Sequence, residues 1–535
     1  MKFHWLNGTT SNKNHFQTLL WLGLSLAAAL LLRFYATGGA VAYTMDSLTY
    51  RDAALNILDG RPWMATNVIR EAPMYLPMAV WPPGYSSLWA LVSFALDLSI
   101  DEVPVILVPT LLCIATACMF YVVMMFTGKP GIAGTVAILN ACTPTSMAVF
   151  GHAWSETLSI PLCLLALAAL LKYASSVTTA KQIKWLAITA LFIALANWTR
   201  YSAVILVPLV CLTVLLMPRV SLARRLAYAC GAALLSLVCI VPLWFRNFQL
   251  TGSISGSDRG GAPRYVLDRL LGDLHSIFEM LEIGFFSFDV LLRANLEVPL
   301  LLLSIFLLAR AVRTKGFQVL VNPSVWIPLL WAVGILSFLL LARSLQTQLD
   351  LDYRMLSMAT PFFVLALASP LNAAMPLSSH HRLQGIWVTA VLGLMIYTGI
   401  SEAQRVHHKY AIGRAPAWRA NFAIVYRDLS ESSRSTRAIK AALAGIPVNT
   451  IILTDYRGLY IRYLTGTKAF QVSNLAECTQ WASAGKTGIF LTGYSEPAFL
   501  QSPEGRWARE CGAANPGWKV IQIKGQGSHS MMADE

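Results

Sequence analysis

Long apolar runs recur along most of this 535-residue chain, and they limit what it can fold into. A helix needs about 20 mainly apolar residues to cross the hydrocarbon core of a bilayer. The runs lie at 19–35, 80–97, 103–126, 131–150, 157–173, 185–217, 226–244, 298–312, 324–342, 355–370 and 384–400. The run at 185–217 is too long for one span, and the polar stretch 197–200 divides it. These runs predict a polytopic α-helical membrane protein with about 11–13 transmembrane helices.

Composition excludes a soluble enzyme, because 56% of the side chains are hydrophobic and only 13% are charged. The net charge of +14 does not indicate nucleic-acid binding, since the basic residues lie mostly in short loops. Four basic clusters predict the cytoplasmic loops: Lys172, Lys181 and Lys184; Arg219, Arg224 and Arg225; Arg310, Arg313 and Lys315; His381 and Arg382. Loops around 152–156, 245–297 and 343–354 then face outward. An acidic stretch at 97–102 breaks this alternation, so we predict that one early segment, within about 80–130, is half-inserted or miscounted.

The chain changes character near residue 401, where charged residues become frequent. Strand-like segments at 448–455, 488–493 and 518–523, with a helical segment at 427–444, predict a small α/β domain outside the membrane. We therefore expect a membrane module over 1–400, with outer loops at 43–79 and 245–297, and an extracytoplasmic domain over 401–535. Cys478 and Cys511 are disulfide candidates if that domain lies in an oxidising compartment. No P-loop or GxGxxG motif occurs, which argues against ATP or dinucleotide chemistry.

The first outer loop places a carboxylate, Asp46, just beyond a predicted span. The spacing of apolar residues over 50–58 suits an amphipathic helix on the membrane surface, which would hold Asp46 near lipid headgroups. There Asp46 could act as a general base towards an acceptor hydroxyl or amine. The alternative interpretation is that Asp46 only caps this helix, with Ser47 as a second candidate for the cap.

Other polar residues interrupt apolar sequence near predicted outer ends of spans. Arg200, Arg246 and Arg354 could converge on a lipid phosphate or pyrophosphate, which a planar guanidinium binds well. The alternative is that each arginine merely extends to the membrane interface. Glu156 could have a catalytic task or form a buried ion pair with one of them. His152 is better explained as an interfacial residue than as a metal ligand, and we assign no metal-binding residue.

The outer loop at 251–295 is rich in glycine and carries Arg259, so it could gate a site or only connect two spans. The candidate substrate-binding residues are Tyr50, Arg51, His152, Glu156, Tyr353 and Arg259.

Several short motifs, taken in order, resemble those of the GT-C class of membrane glycosyltransferases. They are DSLTY at 46–50, ALNILDG at 54–60, WPPGY at 81–85, SE at 155–156, TR at 199–200, WFRN at 244–247 and YR at 353–354. The branch that they resemble contains the protein O-mannosyltransferases and the lipid A aminoarabinose transferases. This chain departs from the first group because Ser47 follows Asp46 where they have an acidic pair. It departs from the second because it has no lysine near the 81–85 motif.

The resemblance implies a GT-C fold and transfer of a sugar from a polyprenyl-phosphate donor to a cell-envelope lipid, glycan or protein at the outer face. It implies that Asp46 is catalytic, that arginines among Arg200, Arg246 and Arg354 bind the donor phosphate, and that the sugar inverts. Some members use a divalent cation, so that requirement stays open, as do donor and acceptor. The competing functions are a lipid-linked saccharide flippase and an oligosaccharide polymerase or ligase. We expect a bacterial inner membrane location.

Overall fold

The structure is a computed structural model that describes residues 12–66, 75–217, 220–256, 322–345 and 353–366, together with four strands between 451 and 522. The chain divides into two compact units, which we describe separately. The first unit comprises Met1–Gly39, Ala79–Tyr85 and Ile106–His407. The second unit comprises Ala40–Met78, Ser86–Val105 and His408–Glu535.

Helices dominate the described residues. They are α1 Asn12–Thr37, α2 Met45–Leu58, α3 Gly84–Leu96, α4 Val103–Thr127, α5 Pro130–Cys142, α6 Pro144–Val149, α7 Glu156–Ser175, α8 Thr179–Thr199, a 3-10 helix Tyr201–Ile205, α9 Leu206–Leu216, α10 Leu222–Thr251, α11 Pro323–Leu345 and α12 Tyr353–Leu356. The strands are β1 Met64–Thr66, β2 Tyr75–Pro77, β3 Ile451–Thr454, β4 Lys468–Gln471, β5 Gly488–Thr492 and β6 Lys519–Gln522.

Six of these helices are long and apolar enough to cross a membrane, which confirms a polytopic helical membrane protein. They contain His15–Thr37, Val103–Thr127, Glu156–Ser175, Thr179–Thr199, Leu222–Thr251 and Pro323–Ala342. Three shorter apolar helical segments, Gly84–Leu96, Pro130–Cys142 and Tyr201–Leu216, accompany them. The predicted runs at 298–312 and 384–400 lie outside the described residues.

The predicted division of the apolar run at 185–217 is confirmed. Helix α8 ends at Thr199, Arg200 is extended at φ −147° and ψ 126°, and the 3-10 helix and α9 continue the chain. Because Glu156 at the start of α7 contacts Arg200 just beyond α8, the two helices run antiparallel. Their facing ends therefore meet at one face of the first unit, where the polar residues gather.

The early segment that disturbed the predicted alternation is short. Helix α3 has 13 residues, and at 1.5 Å per residue it is about 20 Å long, whereas the hydrocarbon core is about 30 Å thick. A straight helix of this length does not cross the core. The length of α3 therefore fits the prediction that one segment between 80 and 130 is only partly inserted.

Burial differs between the helices of the first unit as expected for a bundle in lipid. On α7, Leu164, Leu167 and Leu170 are completely buried, so this helix lies inside the bundle. Leu19 on α1 and Leu234 on α10 are 68% and 65% exposed. Large apolar side chains that remain exposed on span-length helices mark the surface that faces lipid.

The C-terminal strands form a four-stranded sheet in the order β4-β3-β5-β6, and every neighbouring pair is parallel. The three predicted strands are present, slightly shorter than predicted. Strand β4 was not predicted, since two of its four residues are polar. Parallel neighbours need crossover connections, as the prediction of a mostly parallel α/β sheet requires. The predicted helix at 427–444 lies outside the described residues.

Candidate functional site

In the second unit, the start of α2 has a cap that the sequence analysis did not identify. Thr44 is the N-cap: its hydroxyl accepts a hydrogen bond from the Ser47 amide at 3.4 Å, and the Thr44 amide donates to the Ser47 hydroxyl at 3.0 Å. This reciprocal pair is a capping box. The interpretation of Asp46 or Ser47 as the N-cap is therefore wrong. Asp46 lies in the first turn, partly buried, where the helix dipole favours a negative charge.

Residues 50–58 form a helix, as predicted, but this helix is buried on more than one side and so is not amphipathic. Tyr50 is 1% exposed, and Asp52 and Asn56 are buried on other sides of α2. The Asn56 amide donates to Asp52 Oδ2 at 3.3 Å and to the Met64 carbonyl at 3.2 Å, which explains how polar groups are accommodated there. Helix α2 is therefore an integral part of its unit, and Tyr50 is one of its core residues.

Arg51, another predicted substrate-binding residue, forms a bidentate ion pair. Its Nε and Nη2 donate to the two carboxylate oxygens of Asp101 at 2.6 and 2.7 Å. The two side chains are 21% and 38% exposed. This pair ties α2 to the turn before α4, so it gives Arg51 a structural role whether or not a substrate reaches it.

In the first unit, a buried carboxylate meets two arginines from distant parts of the chain. Glu156 is the first residue of α7 and its side chain is completely buried. Arg200 Nη1 and Arg354 Nε both contact Glu156 Oε1, and the Ser155 hydroxyl donates to Oε2 at 3.1 Å. Of the two alternatives for Glu156, the ion pair is present, and it involves two arginines rather than one. We call Glu156, Arg200 and Arg354 the arginine–glutamate cluster.

The charges of this cluster do not cancel. Two guanidinium groups face one carboxylate, which leaves a net charge of +1 if all three are ionised. The arginine side chains are 13% and 18% exposed, so they lie largely out of water. Guanidinium groups that are fixed in place and largely out of water are well suited to bind a phosphate.

Aromatic rings support one side of the cluster. The Arg354 guanidinium lies 4.8 Å from the centre of the Trp154 ring, a cation–π distance. His152 stacks on Trp154, with ring centres 4.1 Å apart and planes 9° apart, and its Nδ1 lies 2.6 Å from the Ala148 carbonyl. That carbonyl can only accept, so Nδ1 carries the proton. Burial lowers the pKa of His152 to about 4, which keeps the imidazole neutral at physiological pH.

Hydrogen bonds fix the backbone on either side of Arg200. The Asn197 amide donates to the Tyr201 carbonyl at 3.1 Å. The Tyr201 hydroxyl donates to the Ala79 carbonyl at 2.7 Å and accepts from the Asn247 amide at 2.8 Å. The guanidinium itself is held further by Nη2, which lies 3.1 Å from the sulfur of Met355. Because these bonds join α8, α10 and the segment before α3, Arg200 is held in place from several directions.

Arg246 does not share the carboxylate. Its Nη1 donates to Asn247 Oδ1 at 3.3 Å, next to the amide that contacts Tyr201. Two of the three predicted phosphate-binding arginines therefore meet at Glu156, while the third lies one residue from a hydrogen-bond partner of Tyr201. Neither Trp154 nor Met355 was among the predicted site residues. The only signal for Trp154 was its place directly before the SE motif at 155–156.

Four of the predicted residues are not fully covered by the described part of the chain. Arg259, Cys478 and Cys511 lie outside the described residues. Tyr353 begins α12, but its side chain is not among those described. Within the part of the chain that the structure covers, no three His, Cys, Asp or Glu side chains come together in a way that could hold a metal ion.

Comparison with known proteins gives one family match. Residues 67–263 match the family described as oligosaccharyl transferase STT3, N-terminal. This range contains Glu156, Arg200 and Arg246 but neither Asp46 nor Arg354. No curated protein matches the chain by sequence.

Solved structures resemble most of the chain at low sequence identity. ArnT from Cupriavidus metallidurans in the apo state has a TM-score of 0.57 at 14% identity, covering 90% of this chain and 94% of that one. ArnT from the same organism bound to undecaprenyl phosphate has a TM-score of 0.53 at 15% identity, covering 87% and 88%.

An archaeal protein is similar to the same extent. The oligosaccharyltransferase AglB from Archaeoglobus fulgidus, in complex with an inhibitory peptide and a dolichol-phosphate, has a TM-score of 0.55 at 13% identity, covering 96% of this chain and 70% of that one. At this identity the likenesses show the fold and not the activity. They confirm the fold that the motifs implied, so the chain has the GT-C fold of these membrane proteins.

Proposed function

We propose that this protein transfers a sugar from a polyprenyl-phosphate donor to a lipid, glycan or protein of the cell envelope. The observation that carries this proposal is the arginine–glutamate cluster, in which two largely buried guanidinium groups are fixed at one carboxylate, an arrangement suited to a phosphate. The structurally similar ArnT binds undecaprenyl phosphate, and AglB binds a dolichol-phosphate. Both ligands are isoprenoid phosphates, which supports the same class of donor here. We further propose that the reaction occurs at the outer face of a bacterial inner membrane.

The cluster would bind the donor phosphate and stabilise it as a leaving group. A guanidinium carries five N–H donors, so Arg200 and Arg354 can contact phosphate oxygens while each keeps its bond to Glu156. As the bond between the sugar and the phosphate breaks, the phosphate oxygen gains negative charge. Donors fixed in advance, with little water around them, stabilise that charge without having to reorganise. Glu156 then acts as a positioning residue that orients the two arginines.

Asp46 would serve as the general base. In this step the carboxylate takes the proton from an acceptor hydroxyl or amine while the acceptor atom bonds to the anomeric carbon. The bond from that carbon to the phosphate oxygen breaks, and the polyprenyl phosphate leaves with the electron pair. Attack from the side opposite the leaving group inverts the sugar. Since Thr44 performs the capping, Asp46 is not required as the N-cap of α2.

The proposal is tested by release of polyprenyl phosphate. The full-length protein, purified into lipid, is given a pool of lipid-linked sugars and cell-envelope acceptors, with and without divalent cations. Wild type is compared with D46N and with D59N as the matched control. Asp59 is the exposed C-cap residue of the same helix, so D59N removes the same charge from its other end. We expect D46N to lose at least about a hundredfold in rate, the lower range for a general base, and D59N to keep its rate.

Other outcomes point to the competing functions. Equal release by D46N and wild type would remove Asp46 from the catalytic role. Movement of lipid-linked sugar across the bilayer without any release of polyprenyl phosphate would indicate a flippase. Joining of saccharides that depends on the arginines but not on Asp46 would indicate a polymerase or ligase.

A further inference from the structure

A groove lies near the turn between α7 and α8. This is the opposite end of the two helices from the arginine–glutamate cluster. It has a volume of about 440 Å³ and lies between α4, α7 and α8. Its apolar lining includes Ile114, Leu165, Ala168, Ile188 and Phe192. Ligand pockets span roughly 300–1,000 Å³, so the space is large enough for part of a lipid.

One end of this groove is cationic and aromatic. Lys172 and the rings of Tyr121 and Trp185 also line it. Lys172 Nζ lies 5.4 Å from the centre of the Tyr121 ring, and Lys184 Nζ lies 5.8 Å from the centre of the Trp185 ring. Among the described residues, neither lysine forms an ion pair with a carboxylate. Lys172 lines the end of an apolar groove, and Lys184 is exposed beside the lining residue Trp185. Together they fit an anionic headgroup that is attached to an apolar chain.

The groove is separate from the proposed catalytic region. Lys172 follows Glu156 by 16 positions on α7, which places it about 24 Å further along the helix axis. That distance is close to the thickness of the hydrocarbon core, so the two polar ends belong to opposite leaflets. The α8 surface beside the groove leaves Ile183, Leu191 and Leu195 exposed, as expected of a helix that contacts lipid.

We propose that this groove binds one anionic phospholipid of the leaflet at the α7–α8 turn. The phosphate lies against Lys172 and Lys184, and an acyl chain lies along Ile114, Leu165 and Phe192. This inference uses neither Asp46 nor the arginine–glutamate cluster, and it is independent of the proposed sugar transfer.

Photochemical labelling tests the site. Full-length protein is placed in phosphatidylcholine nanodiscs that contain a minority of phosphatidylglycerol with a diazirine in its acyl chain. After irradiation, peptide mass spectrometry locates the adducts and measures their yield. Labelled phosphatidylcholine, used in the same proportion, is the lipid control. We expect phosphatidylglycerol adducts to concentrate on the segments 114–121, 165–172 and 185–192.

Matched variants separate this site from general attraction to a basic loop. K172Q removes a charge at the groove, while K181Q removes one from an exposed residue of the same helical hairpin. A juxtamembrane lysine contributes about 1 kcal/mol to binding of anionic lipid, so K172Q should reduce the labelling about fivefold. K181Q should leave the pattern unchanged. A168L fills the groove and should reduce the labelling too, while A180L, at an exposed position, should not.

Three outcomes would overturn the proposal. Equal losses in K172Q and K181Q would mean that only the summed charge of the loop attracts lipid. Equal labelling by phosphatidylcholine would mean that the groove does not select an anionic headgroup. Cross-links between two copies at these segments would mean that a second copy of the chain occupies the groove. A melting temperature equal to that of wild type verifies that each variant is folded.

Discussion

The carboxylate of Glu156 has a structural task at the same time as its proposed positioning role. It is completely buried and contacts two guanidinium groups that are themselves mostly buried. In such a group each ion is tolerated only because the others are present, since each has lost its water. Replacing one of the three residues therefore changes the free-energy cost of burying the other two.

We predict that E156Q destabilises the protein. Glutamine keeps the size of the side chain but removes the charge that both arginines face, so two guanidinium groups repel each other out of water. Removing one partner of a buried ion pair costs about 3–5 kcal/mol. Because both arginines keep some exposure, we expect the lower end, about 3 kcal/mol, measured as a lower melting temperature in lipid.

The matched control is E102Q. Glu102 is fully exposed and bonds to the Ser99 amide and hydroxyl, which lower the pKa of its carboxyl group. Its replacement should leave the melting temperature close to that of wild type, as is usual for exposed residues. If E156Q melted at the wild-type temperature, the arginines would not depend on Glu156 for their charge balance.

We predict that His152 makes the protein less stable in acid. Its pKa is about 4 when folded and 6.5 ordinarily, so between these values the unfolded chain binds more protons. The stability that a neutral His152 provides is present above pH 6.5 and is lost as the pH falls towards 4. The expected loss between pH 7 and pH 5 is about 2 kcal/mol, read from melting temperatures at the two values.

A variant isolates this residue from other groups that titrate. H152F keeps a ring to stack on Trp154 but cannot take up a proton, so its loss between pH 7 and pH 5 should be smaller than that of wild type. H15Q, at an exposed histidine of α1, should retain the full loss. The same loss in H152F as in wild type would assign the acid sensitivity to other residues.

The candidate residues could be selected from the sequence, but not their partners. Glu156 and Arg354 are separated by 198 positions, and nothing local to either one indicates the other. A charge beside an apolar run shows only that it must be satisfied somehow. The Thr44 cap was detectable in principle, since it precedes Ser47 by the three positions that a capping box requires. Only Asp46 and Ser47 were predicted as candidates for the cap.

At the scale of elements, α3 and α8 meet at a glycine. A Cβ atom at Gly84 would lie 2.6 Å from the Trp198 carbonyl oxygen, which no side-chain movement can relieve. Trp198 is two residues before Arg200. The close approach of these two backbones therefore helps to set where the arginine lies.

We predict that G84A is destabilising by about 1–3 kcal/mol, the usual cost of overpacking. The matched control is G231A in α10, where an added Cβ meets nothing within 4 Å. Alanine is the better helix former, so G231A should be neutral or stabilising by up to about 1 kcal/mol. Thermal unfolding of both variants in lipid measures the difference. If G84A melted at the wild-type temperature, α3 and α8 could move apart without loss of stability.

Helices and strands were predictable wherever a short stretch of sequence carried a strong pattern of its own. The division between α8 and α9 followed from the stretch 197–200, which places three polar residues inside an apolar run. Three of the four C-terminal strands followed from their apolar, β-branched stretches. The burial of α2 on several sides was not predictable. It depends on contacts with residues elsewhere in the chain, and a spacing pattern cannot reveal those.

At the scale of the whole chain, the two ends of the α7–α8 hairpin should be accessible from opposite sides of the membrane. Val177 in the hairpin turn is 94% exposed, and Ile254 beyond α10 is 57% exposed. Asn247 near the end of α10 contacts Tyr201, which places that end at the same face as Glu156.

We predict opposite labelling of V177C and I254C. In sealed vesicles with the cytoplasmic face inside, a membrane-impermeant maleimide should modify I254C at once and V177C only after the vesicles are opened. The parent protein with its natural cysteines gives the background. Reversed labelling would place the arginine–glutamate cluster at the cytoplasmic face and contradict the proposed site of reaction.

The order of the three charged residues along the chain has a consequence for biosynthesis. Glu156 is translated first and Arg200 follows within the same helical hairpin, so a neutral pair can form as that hairpin leaves the translocon. Arg354 is made only after α9, α10 and α11. The second guanidinium group therefore joins the cluster late, when most of the described helices are already present to hold it.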